Sequence, residues 1–125
     1  MNWLEPDQIR KTSPTELGEG GLCFLVAEIL LERNPEAILY RLTSPAHEYG
    51  HVYLLLDDNQ IDIKGPRDVV AAMRTQCDDQ RLVPEKADTH RVRRHFYPKY
   101  STAQLCAARE TFLSFIDSNP QIFKR

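Results

Sequence analysis

The sequence predicts an α+β domain, a small antiparallel sheet packed against helices. Three observations predict it. An apolar helical segment, residues 22–33, comes early in the chain. Several short β-type runs follow it. A second long helical pattern, residues 101–117, comes near the end. At 125 residues the chain is about one domain's worth, so a single domain over 1–125 is expected.

Residues 1–18 are polar and interrupted by Pro6 and Pro14, and they read as a loosely structured lead-in with one helical turn near Asp7. Trp3 is either an anchor for that lead-in or an exposed contact. Gly18, Gly20 and Gly21 then give a flexible, tight approach to the first helix. Over residues 22–33 only Glu28, Glu32 and Arg33 are charged, the pattern of a helix buried in the middle of a domain. Asn34-Pro35 ends it, because proline disfavours helical geometry in the residue before it.

Residues 37–43 read as a strand. Residues 51–56 and 60–64 read as a hairpin with a two-residue turn at Asp58-Asn59, pairing Asp57 with Gln60. In that register Val52, Leu54, Leu56, Ile61 and Ile63 share one face, and His51, Tyr53, Leu55 and Asp62 the other. Gly65-Pro66 marks a turn, residues 67–76 look helical, and residues 81–83 and 91–96 are further strand candidates. In the last helix Ser101 and Gln104 form a capping box, and Leu105, Ala108, Phe112, Phe115 and Ile116 form its apolar stripe.

Composition narrows the function. With 42% hydrophobic and 27% charged residues, the chain has enough apolar surface to fold, which excludes a wholly disordered protein. Lys plus Arg number 16 against 18 Asp plus Glu, a formal charge of −2, so a net-basic nucleic-acid binder is not expected. The longest apolar run, residues 22–27, is too short to span a bilayer. The opening Met1-Asn2-Trp3-Leu4-Glu5-Pro6 lacks a basic head followed by an apolar stretch, so no signal peptide is expected. Three cysteines without a C-x-x-C pair predict reduced thiols in a cytoplasmic setting and no structural zinc.

The chemistry gathers around Cys23. It stands at the N-terminal end of the first long helix, where unpaired backbone N–H groups and the helix dipole favour a thiolate over a thiol and can receive a developing oxyanion. A thiol nucleophile needs a base, and the base needs an orienting partner. His51 opens a strand about 28 residues on, and Asp62 lies about 11 residues further, on the same face in the predicted register. A cysteine in an apolar helix that only packs and a histidine that only borders a strand are the plainer alternatives.

Gly20-Gly21-Leu22-Cys23 leading into a helix with Ala27, then His51-Val52-Tyr53, then Ile61-Asp62-Ile63-Lys64-Gly65, resembles the papain-like and transglutaminase-like cysteine enzymes, most of all small bacterial and phage versions with a G-x-C…A…H-V…D-x-x-G pattern. The resemblance covers residues 18–68. It implies a papain-like core and a Cys–His–Asp triad used for proteolysis, deamidation, acyl transfer or transamidation. Cys23 would be the nucleophile, His51 the general base and acid, and Asp62 the orienting residue. It implies a protein or peptide substrate and no cofactor. Papain-type proteases place a glutamine shortly before the cysteine to complete the oxyanion hole. Residues 15–22 hold none here, and Gln8 is the nearest substitute.

Two other patterns compete for attention. His47-Glu48-Tyr49-Gly50-His51 matches H-E-x-x-H, which on a helix would set His47 and His51 on one face to bind zinc with Glu48 as base. Gly50 and the strand-like residues after it argue against a helix. Residues 90–100 are basic and aromatic, with Arg91, Arg93, Arg94 and Lys99 as a patch for an acidic peptide or a nucleic-acid backbone; a solvated edge strand is the plainer reading. The sequence thus points first to a cysteine-dependent hydrolase or acyl transferase. An H-E-x-x-H metallopeptidase and a catalytically inactive papain-like binding or inhibitory module are the alternatives.

Overall fold

Pro6 and Pro14 do not break the beginning of the chain; each starts a helix. Proline suits the first helical turn because its missing N–H has no intrahelical partner there anyway. In the computed structural model, which describes residues 5–123, α1 is Pro6–Lys11 and α2 is Pro14–Glu19. Ile9 and Leu17 are buried in the main core. The expected loose lead-in is therefore corrected over residues 6–18, because one apolar side chain on each short helix ties it down. Trp3 lies outside the described residues.

The first long helix, α3, is Cys23–Arg33, and seven of its eleven residues are buried. The chain then forms β1 (Ile38–Ser44), β2 (His47–Leu56), β3 (Asn59–Asp62) and the two-residue β4 (Gly65–Pro66). Helix α4 is Val69–Gln76, β5 is Val83–Lys86 and α5 is Thr89–Phe96. A 3₁₀ turn (Tyr97–Lys99) leads to α6, Thr102–Ser118. The strands make one antiparallel sheet in the order β4-β3-β2-β1-β5. The described residues thus have a mixed α+β fold.

Both faces of the sheet are covered. Val52, Leu54, Leu56, Ile61 and Ile63 join α1, α2, α3 and α6 in the main core, as the alternation predicts. Leu42, Tyr53, Val69, Met73 and Leu82 form a smaller cluster under α4. The β2–β3 turn is Asp57-Asp58, with φ of 51° and 66°, so that Leu56 faces Asn59. Two left-handed residues in succession fit the twist of a two-residue hairpin, and aspartate tolerates that backbone. This corrects the predicted Asp57–Gln60 pairing by two residues, a slip that leaves every side chain on its predicted face.

The candidate strand at 91–96 is corrected to helix α5. Asp88 accepts a hydrogen bond from the Arg91 N–H as its N-cap, and Val92 and Phe96, four residues apart, form the buried side. The candidate at 81–83 begins later, as β5. In α6 the predicted capping box is present: Gln104 N–H donates to Ser101 Oγ, and Ser101 N–H donates to Gln104 Oε1.

Candidate active site

Helix α3 delivers Cys23 through a closely packed approach. Gly18 sits so near the β3–β4 turn that a methyl group there would lie 2.6 Å from Ile63 Cβ. Leu22 N–H donates to the Leu17 carbonyl, and the Tyr100 hydroxyl donates to the Gly21 carbonyl at 2.9 Å. Cys23 is thereby the first residue of α3, where the leading backbone N–H groups have no partner within the helix.

His51 reaches the site through an irregularity in β2. Leu42 pairs with His51 and Ser44 with His47, so residues 48–50 stand opposite the single residue Thr43. A bulge of this kind re-aims the side chains beside it. Tyr49 packs into the main core against Phe96, with ring centroids 5.4 Å apart, whereas His51 stacks toward Tyr53 of the smaller cluster at 6.5 Å. The β2–β3 ladder covers Leu54 to Leu56, leaving His51 beyond its end.

Asp62 completes the set. His51 Nε2 lies 3.0 Å from Asp62 Oδ2. A carboxylate only accepts here, so Nε2 carries the proton and donates. Nδ1 is then the ring atom not engaged by Asp62, and the Cys23 sulfur acts on the same imidazole through its charge. Relative exposures are 6% for Cys23, 1% for His51 and 3% for Asp62. Burial works against a charged imidazole, but the Cys23 sulfur and the Asp62 hydrogen bond outweigh it, and His51 is pushed up to about 9. Burial also penalises a charged Asp62, but His51, Arg67 and the Lys64 N–H hold it down at about 2. His51 and Asp62 are therefore hydrogen-bonded to each other, and Cys23 is close enough to influence the same ring by its charge.

The site extends to residues that sequence reasoning missed. Arg67 Nε donates to both Asp62 oxygens at 3.1 Å, and its Nη2 bonds Oδ2 as well. Nη2 also lies 3.5 Å from Glu19 at the end of α2, and Lys64 Nζ lies 3.4 Å from the same carboxylate. Gln60 fixes the segment that carries Arg67: its carbonyl accepts from Arg67 N–H, and its side chain accepts from Val69 N–H at 2.7 Å. The signal in the sequence was two cations within five residues after Asp62, Lys64 and Arg67.

The H-E-x-x-H residues fall on β2, not on a helix. Ser44 Oγ accepts from the Ala46 and His47 N–H groups and closes the β1–β2 turn instead of starting a helix. Four residues of strand span about 13 Å, against one turn on a helix. His47 Nδ1 is 3.0 Å from Asp79, while His51 is committed to Asp62. The motif thus does not put two imidazoles and a glutamate around one point. Glu48 instead borders a cleft of about 470 Å³ with Arg41, Tyr49, Glu85, Arg91 and Arg94. No group of three metal-ligating side chains occurs among the described residues.

Gln8 is committed elsewhere. It is exposed, and its side chain accepts from Glu5 N–H in the α1 capping box. The basic patch is divided: Arg91 and Arg94 line the cleft, Arg93 faces Glu28 and Tyr97, and Lys99 lies 3.1 Å from His95. Cys77 and Cys106 are unbridged, as is Cys23. No helix among the described residues is long and apolar enough to cross a membrane. Set against known proteins, the chain matches no family model, no curated protein and no solved structure.

Proposed function

We propose that the protein is a cysteine-dependent hydrolase or acyl transferase acting on an amide, thioester or related acyl bond of a protein or peptide. One observation carries the reading: a buried imidazole held by a carboxylate through one nitrogen and influenced by the charge of a sulfur at a helix N-terminus. The resemblance of residues 18–68 to papain-like enzymes supports it, and with it a papain-like core.

In this reading His51 holds the proton given up by Cys23, and the sulfur attacks the acyl carbon, forming a carbon–sulfur bond as the carbonyl electron pair moves onto oxygen. The leading N–H groups of α3 take the oxyanion. The carbon–nitrogen or carbon–sulfur bond to the leaving group then breaks, and the leaving group takes a proton from His51. Water or an amine next gives its proton to His51 and attacks the acyl-enzyme, which frees Cys23 again. Asp62 stays ionised and holds the ring.

The test is labelling with a small electrophile at neutral pH, read by mass spectrometry. Cys23 is expected to react well ahead of Cys77 and Cys106, and His51→Ala is expected to slow it by about a hundredfold. Equal labelling of exposed Cys106 and Cys23, unaffected by His51→Ala, would overturn the reading. A full biological effect retained by Cys23→Ala would favour a binding or inhibitory module instead.

A further inference from the structure

We infer that Arg67 is a positioning residue of this site, acting through Asp62 on one side and Glu19 on the other. The inference rests on the reading of Cys23 as a nucleophile and adds a member to its machinery.

Asp62 can orient His51 only if its own plane is fixed. Oδ2 accepts from His51 Nε2 and Oδ1 from Lys64 N–H, at 3.0 and 2.9 Å. Neither contact alone stops the carboxylate from turning about its bond to Cβ. Arg67 does, because its planar guanidinium meets both oxygens through Nε and reaches Oδ2 again through Nη2. Lysine would supply a point charge with no such fork.

The other end of the contact is what ties the site together. Glu19 closes α2, four residues before Cys23, and is partly buried, as is Arg67. Arg67 therefore joins the hairpin that carries the base and its partner to the segment that carries the nucleophile. The charges alternate along this line: imidazole, carboxylate, guanidinium, carboxylate. Each buried charge has an opposite neighbour, so Asp62 remains a pure acceptor while His51 gains and loses a proton. Arg67's backbone is held in turn by Gln60, which bonds residues 67 and 69. The guanidinium thus has a fixed origin as well as fixed partners, unlike an exposed surface arginine.

The experiment measures the rate of Cys23 alkylation by iodoacetamide in the full chain from pH 5 to 9, with Cys106 as an internal reference. Arg67→Met, Arg67→Lys, Asp62→Asn and the Arg67→Met/Asp62→Asn double variant are compared, and each is checked by thermal melting. Arg67→Met is expected to slow Cys23 about tenfold at pH 7 and to change the pH profile, leaving Cys106 unchanged. Arg67→Lys is expected to restore part of the rate. In the Asp62→Asn background Arg67→Met is expected to have no further effect, because it acts through that carboxylate.

An unchanged Cys23 profile in a folded Arg67→Met variant would overturn the inference, and so would the same tenfold loss in the Asp62→Asn background. If Arg67→Met fails to fold, Arg67→Lys decides: about threefold slowing is expected from loss of the fork, and a wild-type rate refutes it. Failure of the parent reading looks different. Wild-type Cys23 would then react no faster than Cys106, and the role of Arg67 would fall with it.

Discussion

His51 and Asp62 are buried ionisable groups with opposite pH dependences. Asp62 is held down from 3.8 to about 2, so its contribution to stability is present above 3.8 and lost as pH falls through 2. His51 is raised from 6.5 to about 9, so its contribution is complete below 6.5 and lost as pH rises through 9. Stability from the pair is therefore greatest between 3.8 and 6.5 and declines on both sides. Urea unfolding midpoints across that range check this. The alkaline decline between 6.5 and 9 is expected to disappear in His51→Gln, and superimposable wild-type and variant curves over that interval would contradict it. At this scale the sequence was legible where chemistry restricts the choice. A cysteine at a helix start needs a base and an acceptor, and His51 and Asp62 had the residue types and the shared face. Arg67 was not legible, because its role depends on the β3–β4 turn folding it back onto Asp62.

The elements were legible where one period dominated. Helix α3 is apolar on most sides, and α6 carries its capping box openly in Ser101 and Gln104. Helix α5 was hidden because its Arg-Val-Arg-Arg-His-Phe run places Val92 and Phe96 four apart among charges, which alternation mimics over so short a stretch. Helix α1 showed only as a turn near Asp7, and α2 was hidden because Pro14 looks like a break until it is placed at a first turn. Their docking gives a test at this scale. Gly18→Ala puts a methyl group against Ile63 and is expected to cost about 1–3 kcal/mol, the usual penalty of overpacking. It should also slow Cys23 alkylation, since α2 and the β3–β4 turn would be driven apart. A urea melt and a labelling rate both unchanged would show that the contact does not position α3.

For the whole molecule the issue is access. With Cys23 6% exposed and His51 1%, a bulky reagent cannot meet the sulfur without a local opening. The Tyr100 hydroxyl pins the segment between α5 and α6 to the Gly21 carbonyl, two residues before Cys23, while the Tyr100 ring sits 5.7 Å from that of Phe24. This hydrogen bond joins a late part of the chain to the helix start, a contact that no local sequence pattern announces. With each rate taken relative to the exposed Cys106, iodoacetamide is expected to modify Cys23 much faster than a bulky maleimide does. Tyr100→Phe is expected to narrow that gap by speeding the bulky reagent. Equal Cys23/Cys106 ratios for both reagents in the wild-type protein would show that the sulfur is already open.

In the proposed site the His51 imidazole shares its two nitrogens between Asp62 and Cys23. Nitrogen-15 NMR of the imidazole tests it most directly, following both ring nitrogens from pH 5 to 10 in wild type and in Cys23→Ser. The expected result is a ring protonated on both nitrogens at pH 7 that titrates near 9 in the wild-type protein, with titration moving clearly lower once the sulfur is replaced. A ring already neutral at pH 7, or one whose titration ignores the loss of the sulfur, would contradict it.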